Sequence, residues 1–156
     1  NQIQIATRSG NFPDYDSNKG LLTKRWQHVA MTYNADTREV KVYVNGILQS
    51  QGTLRLRSVT IKGNSADRMF LIGKSYDDAR CFEGDMAEVR VWNVVRTQEE
   101  IATHFYSVDP KTPGLVGYWK MDDNTSPNIV KDATGNGNDA KANKPLSWHN
   151  VSLPEK

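Results

Sequence analysis

Three carboxylates lie close together in the sequence, at Glu83, Asp85 and Glu88. Two carboxyl groups about 5–5.5 Å apart can cleave a glycosidic bond with retention, one as nucleophile and one as acid and base. In a regular strand Glu83 and Asp85 lie on one face and Glu88 on the other, so only a bulge would bring all three together. The structural alternative is that Glu88 pairs with a cation on a neighbouring strand or caps a loop.

A second acidic group surrounds residues 132–137, Asp-Ala-Thr-Gly-Asn-Gly. Oxygen-bearing side chains at alternate positions, with glycine at the sixth, match the start of a calcium-binding EF-hand loop. The twelfth position is Asn143 rather than glutamate, and no flanking helices are predicted. A calcium site of another kind, structural and not required for function, would use some of Asp122, Asp123, Asp132, Asn136, Asn138 and Asp139. The alternative is a tight Asx and glycine turn between two strands.

Two predicted loops carry residue types that bind sugars. Aromatic rings stack on the apolar face of a pyranose, and planar polar groups nearby bind its hydroxyls. Loops carry many of the binding sites of β-proteins. The candidate ligand-binding residues are Tyr15, Asp16, Tyr76, Asp77, Asp78 and Arg80. The alternative is that both segments are ordinary solvated loops. The tryptophans of the predicted strands, Trp26, Trp92 and Trp119, are expected to pack in or over the sheets.

The histidines and the single cysteine suggest no further chemistry. The spacing of His28, His104 and His149 fits neither a zinc motif nor a catalytic triad. We therefore expect a structural, hydrogen-bonded role for His28. Cys81 has no partner for an internal disulfide and is expected to be a buried small hydrophobe.

Length and charge predict a single domain over residues 1–156. A chain of 156 residues can bury a two-layer core without disulfides or metals. The net charge of +2, without a basic stripe, argues against nucleic acid as a partner. No apolar run approaches the roughly 18 residues that span a bilayer, so membrane insertion is not expected. The chain begins with Asn1 inside a strand-like alternation, which suggests the C-terminal part of a longer protein.

The clearest secondary structure lies between Trp26 and Gly46. Residues 26–33 and 40–44 alternate apolar and polar side chains, which is typical of half-buried strands. The dipeptide Asn45-Gly46 tolerates positive φ at both positions and predicts a tight turn into a third strand at 47–49. An antiparallel meander is therefore predicted.

Other elements follow from similar patterns. Further strands are predicted near Ile3 and Ile5 and over 54–62, 69–73, 86–94 and 115–121, with a loop over 9–20. Thr97 and Glu100 have capping-box spacing, which predicts a short helix near 97–106 with Ile101 and Phe105 on its buried side. Many strands with one short helix predict an all-β sandwich.

Three ordered blocks resemble the laminin-G-like jelly rolls of the concanavalin A-like superfamily. The first is Trp26-Gln27-His28-Val29-Ala30 leading to Tyr43-Val44-Asn45-Gly46. The second is Gly-Asp-Met-Ala-Glu-Val-Arg-Val-Trp-Asn at 84–93, followed by the helix start at Thr97. The third is Tyr118-Trp119 followed by Asp-Ala-Thr-Gly-Asn-Gly-Asn-Asp at 132–139. The resemblance implies a two-sheet antiparallel jelly-roll sandwich.

The resemblance also implies a function. Similar domains in bacterial surface proteins that handle polysaccharides suggest a non-catalytic module, extracellular or at the cell surface, that binds a poly- or oligosaccharide without a required cofactor. Retaining β-glucanases of the same superfamily carry Glu-x-Asp-x-x-Glu, although with an apolar residue where Gly84 lies here. A glycoside hydrolase using Glu83 and Glu88 is therefore one alternative, and a structural or protein-adhesion domain is another.

The family pattern predicts that part of the fold is missing. Its opening strand, of Phe-Thr-(Ile/Val)-Glu-x-Trp type, has no match before Trp26. An incomplete sandwich leaves sheet edges uncovered. The domain is therefore expected to lack its N-terminal strands and to pair with them or with another chain.

Overall fold

The computed structural model describes residues 4–5, 15–16, 25–54, 70–73 and 81–153. In these ranges the elements are β1 (Gln4–Ile5), β2 (Tyr15–Asp16), β3 (Val29–Asn34), β4 (Glu39–Val44), β5 (Ile47–Thr53), β6 (Val89–Trp92), α1 (Gln98–Thr103), β7 (Leu115–Trp119), β8 (Ile129–Val130) and β9 (Ala140–Lys141). The strands pair as β1-β2, β3-β4-β5, β6-β7 and β8-β9, and every pair is antiparallel. The prediction of an all-β antiparallel fold with one short helix is confirmed.

The predicted meander is the β3-β4-β5 sheet. Asn45 and Gly46 have φ of 51° and 76°, so they form the tight turn between β4 and β5. The Asn45 side-chain oxygen accepts a hydrogen bond from the His28 amide at 3.0 Å. The Asn45 amide in turn donates to the His28 carbonyl at 2.9 Å. These two bonds hold the start of β3 against the turn.

Alternation gives this sheet two different faces. One face is apolar, and Val40 and Val42 are fully buried there, with Val44 almost so. The opposite face carries Thr32, Lys41 and Gln51, which lie in register across the three strands. The apolar face is therefore buried along β4, whereas Val29, Met31 and Ile47 on the same face are 41%, 49% and 61% exposed. The opposite face is largely polar.

The capping box predicted at the start of α1 is present. The Thr97 hydroxyl accepts a hydrogen bond from the Glu100 amide at 3.2 Å, and the Glu100 carboxylate accepts one from the Thr97 amide at 2.8 Å. Ile101 is buried as expected. The helix ends at His104, so Phe105 lies just beyond it rather than on it. Because α1 packs closely on the β4–β5 turn, a Cβ at Gly46 would lie 2.7 Å from Ala102.

The β6-β7 pair is shorter than the sequence predicted. Glu88 and Met121, with φ of 60° and 62°, lie at the same end of the pair, before β6 and after β7. These left-handed conformations break the extended backbone there, which explains the shorter strands. Beside the pair, Val108, Leu115 and Tyr118 form a buried cluster that Trp92 and Ala133 pack against.

Two predictions about apolar segments are wrong. Residues 70–73 form no strand, and Phe70 and Leu71 are 49% and 42% exposed instead of buried. Cys81 is also exposed. Hydrophobicity alone does not show whether a neighbouring element covers a residue, which is why both predictions failed. Met69 lies outside the described residues.

Two boundary predictions also need correction. Trp26 precedes β3 instead of lying within a strand. Tyr15 and Asp16, predicted as loop, form β2 and pair with Ile5 and Gln4. Strands of two residues, such as β1 and β2, are too short to show an alternation of period two in the sequence. Of the edge strands predicted over 54–62, Leu54 is buried, and the rest lie outside the described residues.

Candidate functional site

A cleft of about 380 Å³ opens on the polar face of the β3-β4-β5 sheet, beside the start of α1. We call it the sheet groove. It is lined by Thr32, Asn34, Glu39, Lys41, Tyr43, Leu48, Gln51, Val95, Arg96, Thr97 and Gln98. A second hollow shares Glu39 and Gln51 with it and continues toward Thr37 and Thr53. The polar concave surface therefore extends along the sheet beyond the groove itself.

Strand register brings the lining residues of the sheet together. Thr32, Lys41 and Gln51 form one row, and the pair of Asn34 and Glu39 lies in the next. A shift in register after Val42 leaves Gln49 as an extra residue in β5. The side chains of the two rows consequently project from the same face.

Several hydrogen-bonding groups in the sheet groove are free. Among the described residues, the side chains of Thr32, Gln51 and Gln98 make no hydrogen bond. Asn34 differs, because its side-chain oxygen accepts from the amides of Asp36 and Thr37 at 2.9 and 3.2 Å. A hydroxyl and two planar amides are therefore available to a ligand at no cost in internal hydrogen bonds.

The cations of the sheet groove are already engaged. The Lys41 ammonium lies 2.7 Å from the Glu39 carboxylate, and this hydrogen bond raises the pKa of Lys41. The Arg96 guanidinium lies 3.0 Å from the Glu100 carboxylate. The same guanidinium lies 4.3 Å from the centre of the Trp92 ring, and its side chain is mostly buried. These contacts fix the wall of the groove that leads into α1.

The three predicted catalytic carboxylates have different environments. Glu83 and Asp85 are both exposed. Asp85 lies 2.9 Å from Nδ1 of His149. Glu88 is partly buried, and the Arg90 guanidinium and the Tyr118 hydroxyl both donate to the same oxygen of its carboxylate. The catalytic role of Glu83, Asp85 and Glu88 stays a prediction. The contacts of Glu88 favour a structural role, although its cation, Arg90, lies on β6 directly after it and the neighbouring strand supplies Tyr118 instead.

Glu88 belongs to a buried polar cluster with Arg90 and Tyr118. Arg90 donates from Nη1 to the His104 carbonyl at 2.6 Å and from Nη2 to the Phe105 carbonyl at 3.4 Å. Its side chain is 8% exposed and that of Glu88 17%. Burial, followed by the hydrogen bond to Glu88, raises the pKa of Tyr118 to about 12. The cluster joins β6, β7 and the segment that follows α1.

His28 packs beside this cluster. Its ring stacks on Phe105 with 5.3 Å between centroids. Burial, and then the positive charge of Arg90, lower the pKa of His28 to about 4. Its Nδ1 is buried without a hydrogen-bond partner, so the hydrogen-bonded role predicted for the His28 side chain is wrong at this ring atom. The bond from its backbone amide to Asn45 does not depend on the side chain.

This geometry predicts a pH dependence that can be assigned to His28. The unfolded histidine titrates near 6.5 and the folded one near 4, so the unfolded state binds the proton first as the pH falls. The stabilisation from neutral His28 is therefore complete above about pH 6.5 and is lost as the pH falls toward 4. Urea unfolding at several pH values should show that His28→Phe flattens this slope. His149→Phe, at an exposed histidine, is the control, and equal slopes in the wild type and His28→Phe would contradict the assignment.

The predicted calcium loop makes dense internal hydrogen bonds. One carboxylate oxygen of Asp132 accepts from the Tyr118 amide at 3.1 Å and from the amide and hydroxyl of Thr134 at 3.0 and 2.7 Å. The other accepts from the Asn138 amide at 3.2 Å. Burial opposes the ionisation of Asp132, but the hydrogen bonds from Thr134, Tyr118 and Asn138 hold its pKa below the usual value.

The remaining residues of the loop bind it to β7. The side-chain amides of Asn136 and Asn138 donate to the Val116 carbonyl at 2.9 and 3.0 Å. Asp139 accepts from the Asp132 amide at 2.9 Å, whereas Asp122 is exposed. The described part of the chain contains no group of three or more His, Cys, Asp or Glu placed to hold a metal ion. Calcium binding here stays a prediction.

The predicted sugar-binding loops are only partly described. Tyr15 and Asp16 lie in β2, and the other four candidates, Tyr76, Asp77, Asp78 and Arg80, lie outside the described residues. No motif in the sequence pointed to the sheet groove. The feature that could have predicted its polar floor is the alternation in β3 and β4, which puts Thr32, Asn34, Glu39 and Lys41 on one face. The approach of α1, which turns that face into a cleft, depends on tertiary packing.

The described strands form antiparallel sheets with one short helix and a polar cleft on the β3-β4-β5 sheet. The family model described as the concanavalin A-like lectin/glucanases superfamily, of laminin-G type, matches residues 1–102. This match covers more than half of the chain, which therefore belongs to that superfamily. The family suggested by the three sequence blocks is confirmed.

Two solved structures are similar to the chain. A Bacteroides ovatus protein named "putative carbohydrate binding protein" has a TM-score of 0.63 and 32% identity, over 85% of this chain and 41% of that protein. An S-layer domain-containing protein of Clostridium thermocellum has a TM-score of 0.43 and 22% identity, over 57% of this chain and 43% of the other. The chain thus spans less than half the length of either solved protein. No functionally curated protein matches it.

The described residues also bear on membrane spanning. The single helix in these ranges, α1, has six residues. No helix in the described part of the chain has the length and apolar character needed to cross a bilayer.

Proposed function

We propose that this domain is a non-catalytic carbohydrate-binding module, extracellular or at the cell surface, and that the sheet groove binds the saccharide. The observation that carries the proposal is the set of free polar groups, on Thr32 and Gln51 of the sheet and Gln98 of α1, in a cleft of about 380 Å³. Membership of the superfamily and the name of the Bacteroides ovatus protein support the same ligand class.

The composition of the sheet groove suits a sugar. Planar amides and hydroxyls match the alternating donors and acceptors of a saccharide, and apolar side chains can contact its C–H face. Tyr43, Leu48 and Val95 supply such apolar surface between the polar groups. The open, elongated form of the polar surface, which continues toward Thr37 and Thr53, favours a chain of sugar units over one monosaccharide.

The proposal predicts that Gln51→Ala weakens saccharide binding about fivefold, because one hydrogen bond contributes about 1 kcal/mol. Isothermal titration against oligosaccharides of glucose, mannose, galactose, xylose and uronic acids would first identify the ligand. Gln49→Ala is the matched control, because Gln49 lies on the same strand but does not line the groove. Equal affinities for Gln51→Ala and Gln49→Ala would contradict binding in the groove. Repeating the titration with a chelator tests whether saccharide binding depends on the predicted calcium ion.

Two alternatives each rest on one observation. The Glu-x-Asp-x-x-Glu pattern at 83–88 favours a glycoside hydrolase, which would release reducing ends during the titration and lose this activity in Glu83→Gln and Glu88→Gln.

The exposure of Phe70, Leu71 and Phe82, between 42% and 51%, favours a protein-adhesion surface. A protein ligand combined with failure of every saccharide would support that second alternative.

A further inference from the structure

The charges of the sheet groove form pairs within the protein. Three of its lining residues carry charge, namely Glu39, Lys41 and Arg96. Lys41 is paired with Glu39 at 2.7 Å, and Arg96 with Glu100 at 3.0 Å. An acidic ligand would therefore have to displace the Glu39 or the Glu100 carboxylate to reach either cation. The Glu39 carboxylate, which lines the groove itself, would also repel such a ligand.

The groups that remain free in the groove are neutral. They include the hydroxyl of Thr32 and the amides of Gln51 and Gln98. Neutral donors and acceptors bind sugar hydroxyls, whereas a carboxylate or sulfate is best bound by an unpaired Arg or Lys. The formal net charge of the whole chain, +2, is too small to attract a polyanion strongly from a distance.

We infer that the sheet groove selects neutral glycans and rejects acidic ones, because both of its cations are neutralised by carboxylates of the protein. This selectivity rests on the proposed function, since it names the ligand class of the same groove. It also makes Glu39 a specificity-determining residue. Removing its charge would free Lys41 for a uronate carboxylate and would remove the repulsion at the same time.

The test compares a neutral oligosaccharide with an oligouronate of equal length, by isothermal titration at one ionic strength. We expect the wild type to bind the neutral oligosaccharide at least tenfold more tightly. Glu39→Gln should strengthen oligouronate binding about fivefold to tenfold and thereby narrow the preference for the neutral oligosaccharide. Glu99→Gln makes the same charge change on α1 outside the groove and should leave the preference unaltered. Circular dichroism of both variants checks that they fold.

The outcomes separate this inference from the proposed function. A wild-type preference for the oligouronate would overturn neutral selectivity while leaving saccharide binding in place. If Glu39→Gln leaves the ratio of the affinities for the neutral oligosaccharide and the oligouronate unchanged, the Glu39–Lys41 pair does not determine the selectivity. Failure to bind any oligosaccharide of the panel, neutral or acidic, would overturn the proposed function and the inference together.

Discussion

Replacing Glu88 by glutamine is expected to lower the free energy of unfolding by about 3 kcal/mol, because it removes one member of a buried ion pair. Glutamine keeps the size of the side chain but leaves the Arg90 guanidinium, 8% exposed, without its carboxylate. The Tyr118 hydroxyl loses its charged acceptor in the same substitution. Urea unfolding at pH 7 measures the loss. Since the cluster joins β6, β7 and the segment after α1, the whole domain should be destabilised.

Glu83→Gln is the matched control for Glu88→Gln. Glu83 is exposed, so the same chemical change there should alter the free energy of unfolding by less than about 0.5 kcal/mol. A pair of catalytic carboxylates predicts a different pattern, in which both variants lose glycan hydrolysis and neither loses much stability. That pattern would contradict the structural role of Glu88 and would support the glycoside hydrolase.

Asp132→Asn is expected to lower the free energy of unfolding by about 3 kcal/mol as well, because its hydrogen bonds lose their charge assistance and one of its two accepting oxygens becomes a donor group. The Asp132 carboxylate accepts from Tyr118, from Thr134 and from Asn138, and an amide cannot accept all of these bonds. The loop should then detach from β7. Urea unfolding measures the stability, and hydrogen exchange of the Tyr118 and Asn138 amides reports the detachment.

The pH dependence of Asp132→Asn provides a second readout. The pKa of Asp132 is lowered in the folded protein, so its stabilisation is complete above the unfolded value of about 4 and is lost as the pH falls further. The variant should therefore lose less stability than the wild type below pH 4, which is a lower range than that of His28. Asp122→Asn, at an exposed aspartate, is the control. If Asp132→Asn and Asp122→Asn show the same free energy of unfolding at every pH, the hydrogen bonds of Asp132 contribute little to stability.

The sequence predicted the local elements well and the surroundings of single residues less well. The Asn45-Gly46 turn and the capping box of Thr97 and Glu100 depend on residues close in the chain, and both are present. The exposure of Phe70 and of Cys81 was mispredicted, because burial depends on distant segments. Periodicity shows which face of a strand a residue occupies but not what packs against that face.

The candidate site also depends on tertiary packing that the sequence does not show. The sequence identified the conspicuous carboxylates, and the structure shows Glu88 and Asp132 bound by neighbouring protein donors. The side chains that are free to bind a ligand are ordinary, such as Thr32 and Gln51 on the polar face of the meander. Threonine and glutamine also occur on ordinary solvent-exposed strands, so their types alone do not indicate a binding site. They line a cleft because α1 packs beside the sheet, and this packing depends on the close contact between Gly46 and Ala102.

The measurement that tests saccharide binding in the sheet groove most directly is a ¹H–¹⁵N NMR titration of the domain with the tightest-binding oligosaccharide of the panel. We predict that saturable shifts appear first at Thr32, Lys41, Gln51 and Gln98, including the side-chain amides of the two glutamines. Shifts confined to the Asp132 loop, to residues 76–80 or to the exposed apolar residues at 70–71 and 82, with the groove unchanged, would contradict the account.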